Sequence, residues 1–305
     1  MVILIDGGFS YVTEHVVEEF DKNHPLWNSQ FLTTQPQAII ETHRDYILGE
    51  KCSSREKTIF RLEVGGELKL ATDERSNKPN GTVARHWNDV NGGSRLDFGK
   101  KVKIAGSVGP YGACLHDGSE YTGEYCSRVS EKELSDWHRP RMKALAEAGV
   151  DLFAIETIPA LFEAEALLQL LKEFPGKKAW LSFSCKDELH TSRGDVFKEA
   201  VERCWEINSE QLVAVGANCV PPGFVSPLVK SLGTFNYPVI IYANSGETWD
   251  LEKGEWIDQD KIVPSTQYLC EWLDLGVTYI GGCCSKTPTD MNVFRDYIDA
   301  RSKTA

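Results

Sequence analysis

Short apolar runs alternate along the chain with segments of helical period. Seven of these runs predict β-strands: Val2–Ile5, Val102–Val108, Leu152–Ile155, Ala179–Phe183, Leu212–Val215, Val239–Tyr242 and Tyr279–Gly282. Most of the runs are nearly continuous in hydrophobicity, which is typical of parallel strands whose two faces are both covered. The pattern therefore predicts a parallel sheet packed between helices.

Helical patterns lie between the predicted strands. Residues Glu131–Ala148 follow a possible capping box formed by Ser130 and Glu133, and a further helix is predicted over Leu161–Phe174. Repeated strand-helix units without a Pro/Ser-rich linker are typical of one α/β domain, so residues 1–305 are expected to form a single domain. The simplest closed arrangement is a (β/α)8 barrel of the TIM type.

The second strand-helix unit is the exception, because Ser53–Ser76 is rich in charge and fits two interpretations. A helix is indicated by the capping-box pair Ser53 and Glu56, although Gly65-Gly66 would weaken it by roughly 2 kcal/mol. A hairpin is indicated by apolar residues that alternate with polar ones on both sides of that glycine pair. The local pattern leaves both open, and Asn77–Lys101 is expected to be an irregular surface connection.

Polar residues and cysteines follow the predicted strands at the points where the strands end. They are Asp6, Glu156-Thr157, Ser184-Cys185, Asn218-Cys219, Asn244-Ser245 and Cys283-Cys284. In barrels of this type the active site is built from the carboxyl ends of the strands. We therefore expect these side chains to converge on one opening of the barrel.

Three cysteines at two of these strand ends, Cys219, Cys283 and Cys284, predict a zinc site. Three thiolates would leave one coordination position open, whereas a structural zinc usually has four protein ligands. Successive side chains of a strand face opposite ways, so the chain must end its strand or bulge at Cys283-Cys284, and Gly281-Gly282 supplies the backbone freedom. The alternative is that these thiols only pack, since free cysteine is often buried.

Four further residues at strand ends are candidates for binding a ligand. Asp6 fits a tight turn, and Glu156 either faces the barrel interior, where it would need a cationic partner such as a substrate ammonium group, or precedes the next helix as a cap. Ser107 and Asn244 begin Gly-punctuated loops that are well placed to offer hydrogen bonds to a small ligand. Each of these signals is weak on its own.

Other residue types that bind metals do not form a matching pattern. His43, His138 and His190 lie in helical or loop contexts without matched spacing, so solvated or capping roles are expected for them. The remaining six cysteines are expected to pack as small hydrophobic residues.

Composition narrows the possible partners. The chain has 305 residues, and 33 Lys+Arg against 45 Asp+Glu give a formal net charge of −12, which disfavours nucleic acid and anionic membranes as partners. The apolar start lacks a basic leader, and no uncharged run is long enough to span a bilayer. Nine cysteines without a disulfide-framework spacing fit a reducing compartment, so the expected location is the cytoplasm.

Several strings resemble those of the homocysteine S-methyltransferases, in particular the branch that uses S-methylmethionine or S-adenosylmethionine. They are Ser107-Val108-Gly109-Pro110-Tyr111-Gly112, Asp117-Gly118-Ser119-Glu120-Tyr121, His138-Arg139-Pro140-Arg141, Glu156-Thr157-Ile158-Pro159, Trp180-Leu181-Ser182-Phe183-Ser184-Cys185, Gly216-Ala217-Asn218-Cys219, Asn244-Ser245-Gly246-Glu247 and Gly281-Gly282-Cys283-Cys284. The likeness covers nearly all of residues 1–47 and 102–300, and the order of the strings makes it specific.

The resemblance implies a zinc-dependent methyl transfer from a sulfonium donor to homocysteine, giving methionine, in a (β/α)8 barrel. It implies Cys219, Cys283 and Cys284 as the metal ligands. It also implies that homocysteine supplies the remaining ligand through its thiol, so that no side-chain acid or base is needed. Asp6, Gly7 and Glu156 would correspond to residues that hold the amino acid. Only small molecules are implied as partners.

The chain departs from the family after Tyr46. The family continues there into its second strand, whereas this chain runs through Ile47–Cys52 without a match. The second unit is therefore expected to be atypical or incomplete, and the family's next helix would resume around Ser53–Glu74, which favours the helix over the hairpin. Alternative functions are a relative that uses selenocysteine or betaine, and a catalytically impaired zinc-binding variant that lacks the second-strand substrate loop.

Overall fold

The fold follows from a computed structural model of the chain. The structure describes residues 2–16, 31, 35–49, 58–62, 103–115, 117–250, 255–257, 262–264 and 266–304.

Eight parallel strands form a closed barrel in the described part of the chain. They are β1 (Ile3–Ile5), β2 (Thr58–Leu62), β3 (Lys103–Val108), β4 (Leu152–Ile158), β5 (Lys178–Phe183), β6 (Leu212–Asn218), β7 (Val239–Ala243) and β10 (Val277–Gly282). Their order around the barrel is β1-β10-β7-β6-β5-β4-β3-β2. The predicted class, a parallel α/β sheet of the TIM type, is confirmed. The helix expected after β2 falls outside the described residues, so the full count of eight strand-helix units stays a prediction.

Seven α-helices are described around this sheet. They are α1 (Pro36–Gly49), α2 (Glu131–Glu147), α3 (Leu161–Leu171), α4 (Phe197–Asn208), α5 (Pro222–Ser231), α6 (Thr266–Asp274) and α7 (Pro288–Thr304). A separate antiparallel pair, β8 (Thr248–Asp250) and β9 (Glu255–Ile257), follows β7. In the part of the chain with described structure, no helix combines the length and hydropathy needed to cross a bilayer.

The seven strands predicted from the apolar runs are all present, within three residues of the predicted bounds. Burial explains the apolar signature, because every residue of β7 and all but one of β4 are buried. The predicted capping box of α2 is also confirmed, since Ser130 Oγ accepts from the Glu133 backbone N–H and the Glu133 carboxylate accepts from the Ser130 N–H. Gly149 follows α2 with a φ of 87°, which only glycine adopts readily.

The second strand lies inside the segment for which helix and hairpin were both considered. β2 is extended, so the helix interpretation is wrong for residues 58–62. Its partners are parallel, β1 through the register pair Ile5↔Ile59 and β3 through Leu62↔Gly106. The backbone groups of β1 and β3 would otherwise face each other without a strand between them, so closing the sheet selects the extended form. The predicted turn at Gly65-Gly66 and the connection Asn77–Lys101 lie outside the described residues.

A buried hydrogen-bond network surrounds His138, so the expected solvated or capping role for this residue is wrong. His138 and Glu163 are both fully buried, and Nε2 of His138 lies 2.8 Å from Oε1 of Glu163. Arg141 donates to Nδ1 of His138, so the imidazole carries its proton on Nε2 and donates it to Glu163. Tyr125 donates to the second oxygen of Glu163. These bonds tie α2 to α3. His43 is buried as well, which corrects the same expectation for that residue.

Burial gives the His138 network a pH dependence. Desolvation lowers the pKa of His138 from 6.5 to about 4, although its hydrogen bond to Glu163 opposes the shift. Between these two pH values the unfolded chain binds a proton here that the folded chain does not, so stability falls as the pH falls through this window. The imidazole is therefore expected to be neutral at pH 7.

We predict that the stability advantage of the wild type over His138→Gln shrinks by about 2–3 kcal/mol between pH 7.5 and 4.5. Glutamine can still donate to Glu163 and accept from Arg141 but does not titrate. Urea unfolding of both proteins at the two pH values measures the difference, and titrations common to both proteins cancel. A difference in unfolding free energy that does not change with pH would show that His138 is not buried as the neutral form.

Candidate metal and substrate site at the carboxyl ends of the strands

Three cysteine sulfurs meet at the carboxyl ends of β6 and β10. The Sγ atoms of Cys219, Cys283 and Cys284 all lie within 4.8 Å of one another, and Cys219 and Cys284 are 3.6 Å apart. A tetrahedral zinc with Zn–S distances of about 2.3 Å needs sulfurs about 3.8 Å apart, so this spacing fits one ion. Among the His, Cys, Asp and Glu side chains of the described residues, these three cysteines bring their ligand atoms close enough together to hold a metal ion.

Backbone conformation turns these cysteines out of their strands. Cys219 follows the last residue of β6 with a φ of 53°, and Ser285, directly after the cysteine pair, has a φ of 60°. Residues other than glycine rarely adopt this left-handed backbone conformation, and such strain often accompanies functional sites. β10 ends at Gly282, so the predicted departure of the chain at Cys283-Cys284 is confirmed.

Both strand ends are fixed by the strand that lies between them. The N–H of Cys219 donates to the carbonyl of Tyr242 at 3.1 Å, and the N–H of Cys283 donates to the carbonyl of Ala243 at 2.9 Å. Tyr242 and Ala243 are consecutive residues of β7, which pairs with both β6 and β10. The positions of the sulfurs therefore depend on the register of three strands.

Polar side chains contact the sulfurs directly. Oη of Tyr121 lies 3.3 Å from Sγ of Cys219, and Nδ2 of Asn218 lies 3.9 Å from Sγ of Cys283. Hydrogen bonds with Cys219 and Cys284, together with the positive charge of Arg61, hold the pKa of the Cys283 thiol well below its usual range.

Two buried carboxylates, Asp6 and Glu156, lie at the same end of the barrel and share one cation, Arg61. Nε of Arg61 donates to Oδ1 of Asp6 at 2.7 Å, and its backbone N–H donates to Oδ2 at 2.8 Å. Nη1 of Arg61 lies 3.4 Å from Oε2 of Glu156. Burial raises the pKa of Asp6 from 3.8 to about 6 although Arg61 acts in the opposite direction. The turn-forming role considered for Asp6 is thus replaced by an ion pair.

Glu156 faces the barrel interior, which decides between its two predicted orientations. Ser107 Oγ donates to its Oε1, and Oη of Tyr242 donates to its Oε2 at 2.9 Å. The cap position of α3 is occupied by Ala160. The cationic partner that the sequence required is Arg61, a residue of the chain itself.

Gly7 and Asn244 complete the set of predicted substrate residues, with different surroundings. A Cβ on Gly7 would lie 2.6 Å from the carbonyl oxygen of Lys286 and from Oη of Tyr46, so the close approach requires glycine. Asn244 is buried next to Ala243, but its Oδ1 accepts from the N–H of Gly246 within its own turn. The structure therefore brings Asp6, Gly7, Ser107 and Glu156 around Arg61 and gives Asn244 a local contact.

Sequence reasoning missed Arg61, Tyr121 and Tyr242 as members of the site. Arg61 lies in a short strand whose type was ambiguous, and a charged residue between Phe60 and Leu62 was the one available signal that a buried partner is needed. Tyr242 was assigned to a strand without a role. Tyr121 lay in a string carried by the resemblance, but nothing in its local pattern indicated contact with a cysteine.

One glycine on β6 controls how closely β6 and β7 approach each other. A Cβ on Gly216 would lie 1.9 Å from the backbone carbonyl oxygen of Ile240, so any side chain would force the two strands apart. Gly216 is three residues before Cys219. The same approach therefore sets where that sulfur lies.

Comparisons with known proteins give a consistent result. A sequence profile described as homocysteine S-methyltransferase matches residues 3–298. Betaine-homocysteine S-methyltransferase of Drosophila melanogaster is 38% identical over 96% of this chain and 93% of its own length. Homocysteine S-methyltransferase YbgG of Bacillus subtilis is 38% identical over 95% and 92%. The metallated form of the homocysteine methyltransferase MmuM from Escherichia coli is 30% identical, covers 97% of this chain and 96% of its own, and superposes with a TM-score of 0.76.

We predict that Gly216→Ala lowers the free energy of unfolding by at least about 1 kcal/mol, because β6 must move away from β7. The same movement should separate the three sulfurs. Gly223→Ala is the matched control, since a Cβ there meets nothing within 4 Å in the first turn of α5. Urea unfolding and metal content after zinc loading measure both effects. Equal stability and equal metal content in the two variants would contradict the assigned role of Gly216.

Proposed function

This chain belongs to the homocysteine S-methyltransferase family and is an enzyme of that type, and we propose that it transfers a methyl group from a sulfonium donor, S-methylmethionine or S-adenosylmethionine, to homocysteine. The product is methionine. Zn²⁺ held by Cys219, Cys283 and Cys284 is the proposed cofactor.

The observation that carries this proposal is the approach of three sulfurs to within 4.8 Å beside two buried carboxylates. Soft thiolates select zinc over the hard cations that carboxylates and water prefer. Three protein ligands leave one position for the acceptor thiol. When bound, zinc would keep the acceptor thiol deprotonated at neutral pH.

Asn218 positions the sulfurs through a network that spans four strands. Its Oδ1 accepts from the Thr157 N–H and from Ser182 Oγ, both at 2.7 Å, and its Nδ2 donates to Thr157 Oγ1 and approaches Cys283 Sγ. These contacts join β4, β5, β6 and the end of β10. A rigid arrangement of this kind keeps the acceptor sulfur in line with the donor methyl.

The proposed substrate contacts are Asp6, Gly7, Ser107, Glu156 and Asn244. The two carboxylates hold Arg61 at this end of the barrel, and Ser107 and Tyr242 orient Glu156 through hydrogen bonds. Gly7 leaves space where a side chain would meet the backbone of Lys286. Asn244 would contribute by holding the turn that follows β7.

The transfer itself needs no side-chain acid or base. The acceptor sulfur forms a bond to the methyl carbon while the bond between that carbon and the donor sulfur breaks. The bonding pair returns to the donor sulfur, which becomes a neutral thioether. Alignment of the two sulfur atoms then supplies much of the rate, because a well-oriented reaction avoids a large entropic cost.

Two other functions have observations in their favour. A relative that uses betaine as donor is supported by the similarity to a betaine-homocysteine S-methyltransferase. One that uses selenocysteine as acceptor is supported by 35% identity to a selenocysteine Se-methyltransferase of Brassica oleracea. A catalytically impaired zinc-binding variant is supported by β2, which carries Arg61 where the family's second-strand motif is missing. The proposed setting is a single domain of residues 1–305 that acts on small molecules in the cytoplasm.

A donor and acceptor panel distinguishes these functions. We expect methionine from homocysteine with S-methylmethionine or S-adenosylmethionine and not with betaine, together with about one zinc per chain. Product formation and zinc content are measured on the same preparation. Zinc binding without turnover for any donor and acceptor pair would support the impaired variant and refute the proposed activity.

We predict that Cys219→Ala loses its zinc and reduces methyl transfer at least about 100-fold, because two sulfurs no longer form a three-ligand site. Cys270→Ala is the matched control, since Cys270 is an exposed thiol on α6. Zinc analysis and initial rates measure the effect. Activity retained in Cys219→Ala, or lost equally in both variants, would refute the role of the cysteine cluster.

A further inference from the structure

Arg61 donates hydrogen bonds to backbone carbonyls and to carboxylate oxygens around Asp6 and Glu156. Its Nη2 donates to the backbone carbonyls of Asp6 at 3.1 Å and Gly282 at 2.7 Å, and also to the carbonyl of Gly7. Its Nε and Nη1 reach the carboxylates of Asp6 and Glu156. The side chain of Arg61 is only 5% exposed. The guanidinium is therefore held from several directions and shielded from water.

Each carboxylate oxygen of Asp6 and Glu156 already accepts at least one hydrogen bond from the chain. Both oxygens of Asp6 accept from Arg61, one from Nε and one from the backbone N–H. One oxygen of Glu156 accepts from Ser107, and the other accepts from Tyr242 and faces Arg61. An ammonium group that entered here would compete with the buried guanidinium for these oxygens, and a displaced guanidinium would lack its partners.

The ring of Tyr242 fixes the guanidinium further. The Cζ atom of Arg61 lies 4.8 Å from the centroid of the Tyr242 ring, a distance typical of a cation–π contact. The same tyrosine donates to Glu156. Arg61, Tyr242 and Glu156 thus form one unit, and movement of the arginine would disturb all three.

We propose that Arg61 is a specificity-determining residue that takes the place of the acceptor's α-ammonium group. The inference rests on the proposed function, since it assigns the acceptor to the same end of the barrel. With Arg61 in place, the site gains little from an α-amino group. Short mercaptocarboxylates without that group should then bind and react about as well as homocysteine.

The test on the wild-type protein compares homocysteine with 4-mercaptobutyrate, which is the same molecule without its amino group. Isothermal titration of the zinc-loaded full chain gives both dissociation constants, and kcat/KM follows from turnover with the donor that works. We expect the two thiols to differ by less than about 10-fold, whereas a site that reads the amino group rejects the analogue by about 10⁴-fold. A preference for homocysteine above about 10-fold overturns the proposal.

Arg61→Met tests the proposal by removing the guanidinium that contacts the carboxylates of Asp6 and Glu156. The affinity for homocysteine should rise at least about 10-fold, because its ammonium gains the charge-assisted bonds that Arg61 held. The affinity for 4-mercaptobutyrate should not rise with it. Arg203→Met is the control, since Arg203 is an exposed arginine on α4 that pairs with Glu165. A homocysteine affinity that stays constant in Arg61→Met overturns the proposal.

The two tests separate this inference from the proposed function. Failure of methyl transfer with every donor refutes the function, while the binding constants still report on Arg61. If neither thiol binds the wild type, the expected binding of 4-mercaptobutyrate is absent and the inference is overturned. If Arg61→Met does not fold, because two buried carboxylates lose their cation, the wild-type comparison decides alone.

Discussion

The register of β6 and β10 against β7 is the constraint on which the rest of the site depends. The two strands that carry cysteines are not neighbours, and each binds a consecutive carbonyl of the strand between them. Gly216 allows the close approach on one side, and the left-handed residues Cys219 and Ser285 turn the chain at the rim. Three sulfurs that are up to 65 residues apart in sequence thereby come within 4.8 Å.

The parts of this arrangement that could be predicted are those with a local signature. Strands buried on both faces have continuous apolar sequences, which is why β4 and β7 were recognisable without knowledge of their partners. The cysteines were recognisable because thiols at strand ends suit a soft metal and because parallel strands end at one rim. The capping box before α2 was equally local.

The parts that could not be predicted depend on distant partners. β2 is a five-residue strand whose assignment depends on β1 and β3 closing the sheet around it. The carboxylates that contact Arg61, those of Asp6 and Glu156, lie 55 and 95 residues away in sequence, so no local pattern could predict these contacts. His138 was expected at the surface because its partner Glu163 lies on another helix. In each case tertiary contact overrides a weak local preference.

The barrel opening divides into two regions with separate roles. The sulfur cluster provides soft ligands, while the carboxylate pair is already neutralised in part by Arg61. The proposed methyl transfer uses the first region, and the proposed choice of acceptor depends on the second. The proposal for Arg61 therefore assigns the recognition of the acceptor to the second strand, while the three cysteines lie on other strand ends.

X-ray absorption at the zinc edge, recorded on the zinc-loaded chain with and without homocysteine, tests the central claim most directly. Without homocysteine, the account predicts three sulfur neighbours at about 2.3 Å and one lighter neighbour. With homocysteine, it predicts a fourth sulfur in place of the lighter atom. A zinc ion with fewer than three sulfur neighbours, or a spectrum that homocysteine does not change, would contradict the account.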